Sequence, residues 1–230
     1  MSLSRRPLGS SGMQVSVLSL GSWRTYDRLP VEAGVAIMRA ARDEGINFFD
    51  DARYDDETGK ARAWGLVNWP ADPAGVAVRA APALGVAPPC AIQLPYSLVR
   101  RSWLEDATMT GVFEVSGAAG IASFSLAGGV LSGKYLSGPA AGRAAGTLEE
   151  ARIAPAVVAA GELAVLAGRL DTTPAALALA FPLTNPIVTS VLFGATSTEQ
   201  VRANCAAIGL LDRLGPDDLA ELKRIGQPEA

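Results

Sequence analysis

The chain has 230 residues, 49% of them apolar and 19% charged, and a net charge of -3. That is enough apolar sequence for one domain with a full core. The slight negative balance argues against nucleic acid or an anionic membrane surface as a partner, and no run of eighteen apolar residues is present to span a bilayer. Histidine is absent, which removes the commonest general acid–base and the commonest metal ligand from any mechanism.

In chain order, Arg5 to Val15 predict a short hairpin and Val15 to Gly21 a first core strand. Val31 to Gly45 predict an amphipathic helix with Val35, Met38 and Ala41 at helical spacing and Gly45 as its stop. Ile46 to Asp50 and Ala61 to Val67 are the next two strands. Asp72 to Gly85 predict a helix that Pro82 interrupts, and Cys90 to Pro95 a fourth strand. Arg100 to Gly117 are largely helical, and Ile121 to Gly129 form a fifth strand with a Gly-rich exit. After a polar loop over Ser132 to Leu148, helices cover Pro155 to Leu170 and a stretch capped by Thr173 with Pro174 at its first position. Val188 to Gly194 are the sixth strand, Ser197 to Ile208 a helix with an S-x-x-Q capping box, and Pro216 to Ile225 a final helix.

Strands alternating with helices, and strands that are nearly continuous in apolar residues, predict a parallel sheet covered on both faces. The strands end in small or polar residues, Gly21-Ser22, Asp50-Asp51, Asn68, Gln93 and Gly194. In a (β/α) barrel those ends form the functional face. Six strands are legible where such a barrel closes with eight.

The stretches RPLGSSGMQVSVLSLGSW, GINFFDDA, GKARAWGLVNWP, IQLPYS, LAGGVLSGKY and SVLFGATSTEQVRAN, in this order, resemble the aldo-keto reductase family across nearly the whole chain. The resemblance implies a TIM barrel that transfers hydride from NADPH to a carbonyl, using a catalytic Asp, Tyr, Lys and His. Asp50 matches the Asp and Tyr54 stands for the Tyr, although the family spacing is usually one residue longer. The family's Lys and His sit on its third and fourth strands, and neither strand is present. Lys60, at the start of the following strand, lies at the opposite end from the chemistry. On the cofactor side the resemblance implies Ser22 and Trp23 beside the pocket and Asn68 and Gln93 on the nicotinamide amide. Val67 stands where the family has a Ser. The stacking aromatic aligns with Ser123, with Phe124 displaced by one. Thr196, Ser197, Gln200 and Asn204 match the adenosine end, where helix N–H groups suit a phosphate. The implied cofactor is NADP(H), and Arg202 is the candidate clamp for the 2′-phosphate.

The connection from Asp51 to Lys60 reaches at most roughly 35 Å when extended, whereas a parallel crossover normally needs a dozen residues or more and a helix. A segment of two strands and about three helices is therefore expected to be missing near Gly59–Lys60 from one aldo-keto-reductase-like domain over 1–230. A phenol with a pKa near 10 is a weak acid at pH 7, and without Lys and His it loses the charge and hydrogen bonds that assist it. Three functions stay open: a weak NADPH-dependent reductase acting on a small carbonyl substrate, a non-catalytic nucleotide-binding or regulatory relative, and an inactive deletion product. Asp55, Asp56 and Glu57 read as a solvated loop, so no metal site is assigned. Lys134 in LSGKY reads as a solvated charge. Cys90 and Cys205 read as core thiols of a reducing compartment. With no secretory signal in Met1 to Gly12, a cytoplasmic location is expected.

Overall fold

The computed structural model describes residues 3–22, 25–26, 29–50, 63–138, 144–150 and 153–227. It opens with an antiparallel hairpin of β1 (Arg5–Pro7) and β2 (Gln14–Ser16). Gly9 sets how closely this hairpin lies on the domain. Its φ is +50°, and a Cβ there would stand 2.1 Å from the carbonyl oxygen of Cys90. Leu8 and Val15 then pack with Cys90, Ala119, Ile121 and Leu192 in a small cluster. Val15, expected to end the hairpin and also to open the first core strand, lies within β2, and the core strand begins at Leu18. Ser16 ends the hairpin by donating its hydroxyl to the Leu18 carbonyl at 2.6 Å.

Among the described residues the core sheet has six strands: β3 (Leu18–Gly21), β4 (Phe49–Asp50), β5 (Gly65–Val67), β6 (Ala91–Pro95), β7 (Ala119–Ser123) and β8 (Val188–Phe193). All neighbours are parallel, in the order β4-β3-β8-β7-β6-β5. The first and last core strands, β3 and β8, are hydrogen-bonded neighbours, which is how a barrel wraps on itself. Yet β4 and β5, consecutive in the chain, form the two opposite edges. The fold is an incomplete TIM-barrel-like (β/α) fold of six core strands plus an N-terminal hairpin.

The helices are α1 (Val31–Asp43), α2 (Ala71–Ala83), α3 (Ser102–Glu105), α4 (Ala107–Ser116), α5 (Ala154–Arg169), α6 (Pro174–Leu183), α7 (Thr198–Ala206) and α8 (Pro216–Arg224). They cover one face of the sheet, and the main core fills the space between: Leu18, Leu20, Ile92, Leu94, Val191 and Phe193 meet Leu163, Leu166, Leu177 and Phe181. Thr173 caps α6 as predicted, accepting from the Ala176 N–H at 3.2 Å. No single helix among the described residues is long and apolar enough to cross a membrane; α5 and α6 pass together on composition, but they meet at 99°.

Several boundaries differ from the sequence reading for local reasons. In α1 the buried stripe is Ile37, Ala40 and Ala41, while Val35 and Met38 are 40% and 45% exposed; the smaller side chains let the helix approach the sheet closely. The strand expected from Ile46 is reduced to Phe49–Asp50. The Ile46 N–H is taken by the Ala41 carbonyl of α1, and Asn47 is tied to the hairpin through Ser16 and Gln14. β5 begins only at Gly65; Ala61 and Arg62 lie outside the described residues. α2 runs through Pro82. The proline falls in its last turn, where it removes one hydrogen bond and Leu84 and Gly85 still close the end. Asp106 divides the 100–117 helix in two, its carboxylate accepting from the Thr108 and Met109 N–H groups. β7 stops at Ser123, because Phe124 and Ala127 turn left-handed with φ 59° and 48°.

Candidate functional site

Because the six strands are parallel, their C-terminal ends share one side, and the strand alternation fixes what faces inward there. Leu20 is in the main core and pairs with Phe49, so Phe49 points toward the helix layer. Gly21 and Asp50, the next pair in register, face the opposite, concave side. Phe48 confirms this by packing on the hairpin cluster. On the other half of the sheet Gln93 is in register with Val67 and with Ile121 of that same cluster. Val67, Gln93 and Ile121 therefore line the concave side too. Between the halves Ser190 donates to the Ser16 carbonyl at 2.7 Å and pairs with the Ser19 hydroxyl at 3.1 Å.

The sequence-assigned residues fall into three groups. Ser22 and Asp50 lie at the ends of adjacent strands, the Ser22 N–H donating to the Asp50 carbonyl at 3.0 Å. Asn68 and Gln93 form the second group. The Asn68 N–H donates to the Gln93 carbonyl at 2.9 Å, and Asn68 is left-handed with φ 59°, a conformation that Asn tolerates better than most residues. Gln93 is the middle residue of β6, not its end. Among the described residues no side-chain hydrogen bond occupies either amide. The third group is the start of α7. Ser197 caps Gln200 N–H at 3.3 Å, and the Gln200 side-chain Oε1 accepts from the Thr196 N–H at 2.8 Å and from its hydroxyl at 3.3 Å. The capping box thus closes one residue earlier than predicted. Asn204, about two turns further along the same helix, is buried. Trp23, Tyr54, Lys60 and the Asp55–Glu57 carboxylates lie outside the described residues.

Other polar residues at this end went unmarked in the sequence. Tyr96, just past β6, is 2% exposed. Its hydroxyl donates to Glu105 Oε1 at 2.6 Å and accepts from Asn185 Nδ2 at 3.4 Å. Burial first, and then the Glu105 hydrogen bond, push its acidity well below that of a free phenol. Arg101 Nε donates to the Leu98 carbonyl at 3.0 Å, its Nη2 reaches the Lys223 and Ile225 carbonyls at 2.6 and 3.1 Å, and its guanidinium stacks 4.5 Å from the Phe181 ring centre. This arginine fastens the end of α8 to the loop after β6. The doublet Arg100-Arg101 beside IQLPYS was the only available signal, and it carries no information about which arginine turns inward.

Comparison with known proteins places these features. A profile described as "Aldo/keto reductase family" matches residues 56–227, three quarters of the chain. The "Putative voltage-gated potassium channel subunit beta" of Schizosaccharomyces pombe is 28% identical over 177 residues, 74% of this chain and 51% of that protein, so the chain spans about half the length of that relative. The "Probable voltage-gated potassium channel subunit beta" of Arabidopsis thaliana is 24% identical over 315 positions, 96% of this chain and 95% of the plant protein. A chain of 230 residues cannot fill 315 positions, so at least 85 of them have no residue of this chain opposite. "Protein tas" of Escherichia coli is 36% identical over 143 residues, 59% of this chain and 39% of that protein.

Proposed function

The chain belongs to the aldo/keto reductase family, and we propose that it binds NADP(H) on the concave C-terminal face of its six-stranded sheet, with carbonyl reduction much weakened. The observation that carries this reading is the Asn68–Gln93 pair. Two amide side chains without protein partners among the described residues belong to neighbouring segments, Asn68 just past β5 and Gln93 in the middle of β6, toward the side where a (β/α) fold keeps its site. An amide offers both donors and an acceptor, which suits the carboxamide of a nicotinamide. The start of α7 fits the other end of the cofactor less freely, since the Ser197 hydroxyl already accepts from the Gln200 N–H and the Gln200 side chain already accepts from Thr196; the remaining N–H groups of its first turn are what it offers an anion. Choice of the phosphorylated dinucleotide follows the family alone, with Arg202 as its nearest cation in sequence.

Bound there, the cofactor supplies a hydride to a small carbonyl substrate. The chain's own part is to hold the reactants and move a proton. Asp50, on the concave face, matches the family Asp, and Tyr54 is the assigned proton donor to the carbonyl oxygen. Asp50 near a phenol opposes its ionisation, and a chain without histidine has no imidazole to share the proton. Loss of such a group typically lowers rate by two to four orders of magnitude, roughly.

We infer further that one domain over residues 1–230 has lost an internal segment of two strands with their helices between β4 and β5. The placement of these consecutive strands at opposite sheet edges and the unfilled positions against the plant relatives both support it. A second reading, a nucleotide-binding regulatory subunit without turnover, draws on the channel-subunit names of the relatives and on the missing histidine. NADPH fluorescence titration of the purified protein, with circular dichroism to verify folding, tests both. Saturable micromolar binding with slow carbonyl turnover supports the first; binding with no turnover selects the second. A well-folded chain that binds no NADPH removes both.

A further inference from the structure

Two adjacent arginines after β6 have opposite surroundings. Arg101 is spent on the fold, with three carbonyls and the Phe181 ring as partners. Arg100 is exposed. Its guanidinium lies 5.7 Å from the centre of the Phe124 ring, and among the described residues no carboxylate pairs with it and no hydrogen bond engages its side chain. The turn that presents it is closed at both ends: Ser97 N–H donates to the Arg100 carbonyl at 3.0 Å and Arg100 N–H to the Ser97 carbonyl at 3.1 Å. Ser97 in the same turn is 1% exposed, and its hydroxyl has no partner among the described residues. Buried polar atoms are nearly always bonded, so this one asks for an explanation.

The ring beneath Arg100 is equally unusual. Phe124 follows β7 with φ 59°, a left-handed conformation that costs a bulky residue free energy and concentrates at ligand sites. The Ser123 carbonyl before it accepts from Tyr96 N–H at 2.9 Å, so the Arg100 turn and the Phe124 corner are held together across the ends of β6 and β7. A guanidinium resting on an aromatic face keeps its edge N–H donors open, in a planar fork that matches phosphate and carboxylate oxygens.

We propose that Arg100, seated on Phe124, is the receptor for an anionic oxygen group, a phosphate or a carboxylate, of the ligand bound at the C-terminal face. This rests on the reading of that face as the binding face, and it adds a charge requirement for the ligand. The anion comes either from the cofactor's phosphates or from a carboxylate on the carbonyl substrate.

Arg100→Met and Phe124→Leu separate the cases, each checked for folding by circular dichroism. Tryptophan quenching is titrated with NADPH, with 4-carboxybenzaldehyde and with the methyl ester of that aldehyde. A loss of about tenfold in NADPH affinity in Arg100→Met, with partial recovery in Arg100→Lys, supports the proposal and assigns the anion to the cofactor. The same loss for the carboxylate aldehyde, with the ester unaffected, supports it and assigns the anion to the substrate. Phe124→Leu is expected to weaken the same ligand by a smaller factor. If the wild type binds and Arg100→Met changes neither affinity, the Arg100 proposal is overturned while the binding face stands. If NADPH fails to bind but the carboxylate aldehyde binds through Arg100, the cofactor reading falls and Arg100 remains. A wild type that binds none of the three overturns both.

Discussion

The backbone N–H of Asn68 donates to the carbonyl of Gln93 at 2.9 Å, tying the residue that follows β5 to the middle of β6, and among the described residues neither side-chain amide has a hydrogen-bond partner. Asn68 can take its place there because asparagine tolerates the left-handed φ of 59°. The corner thus couples a backbone requirement to a chemical one, and substitution separates them.

Gln93→Ala removes the amide without touching the ladder and is expected to weaken NADPH binding about 5- to 30-fold, the worth of one to two hydrogen bonds at roughly 1 kcal/mol each, with an unchanged melting temperature. Asn68→Gly keeps the backbone and loses the amide, so it should weaken binding alone. Asn68→Val should lower stability as well, by roughly 1–2 kcal/mol, because a β-branched residue resists left-handed backbone. Fluorescence titration paired with thermal melts reads both effects.

Gly9→Ala is expected to loosen the hairpin. The added Cβ would meet the Cys90 carbonyl at 2.1 Å on a backbone already at φ +50°. Neither atom is the end of a flexible side chain, so the hairpin must shift, at about 2 kcal/mol or more. A lower urea midpoint, with faster amide exchange in residues 5–16 than in β7, would register it.

Arg101→Ala removes the clasp between the β6 loop and α8, together with its stacking on Phe181. Three bonds to carbonyls and a buried cation–ring contact suggest a loss of roughly 2–4 kcal/mol, with the amides of α8 exchanging first. Tyr96→Phe, which strips the donor from Glu105, should cost less, about 1 kcal/mol, since the exposed carboxylate can turn to water.

Alkaline pH should unfold this protein. Burial, and next the charge of Glu44, raise the Cys205 thiol to about 12. Burial raises Cys90, and burial with the Glu105 bond raises Tyr96. In the unfolded chain these groups titrate near their ordinary values, about 8.5 for Cys and 10 for Tyr. The folded state holds the protons more tightly, so the stability they contribute is full below about pH 8.5 and is lost as pH rises toward the folded values. Urea midpoints measured between neutrality and pH 10.5 should be flat at first and then fall. Both thiols should resist a disulfide reagent near pH 8 until urea is added.

The open edges predict self-association. Phe49 on β4 and Val67 on β5 are 40% and 54% exposed, on strands that among the described residues each have a neighbour on one side only. Unpaired strand edges with apolar side chains invite pairing between chains. Val67→Lys and Phe49→Lys should each reduce concentration-dependent association in light scattering. A monodisperse monomer in the unmodified protein at high concentration would contradict this.

Much of the architecture was legible in the sequence because its signals are local. Strand–helix alternation, the Thr173-Pro174 start of α6 and the N-terminal hairpin each follow from a few neighbouring residues. The stretches IQLPYS and GLVNWP also carry Gln93 and Asn68, which the fold joins by one backbone bond. What failed were decisions made by competition for the same backbone groups. Ile46 reads as a strand residue, but α1 claims its N–H. Met38 reads as a core residue, but the sheet accepts the smaller Ile37–Ala41 stripe. Gln200 reads as closing its capping box on Ser197, but its side chain takes the Thr196 N–H instead.

By itself the sequence determined the family, the parallel βα order, the absence of histidine and the shortness of the link between β4 and β5. Only the tertiary structure decided that these two strands stand at opposite edges, that Asn68 and Gln93 share a corner, and that Arg101 is consumed by the fold while Arg100 is left open. The reason is physical. Local propensity and hydrophobic period act over a few residues, whereas strand order, the register of the concave face and the partners of a guanidinium depend on groups brought together from as far apart as Arg101 and Ile225.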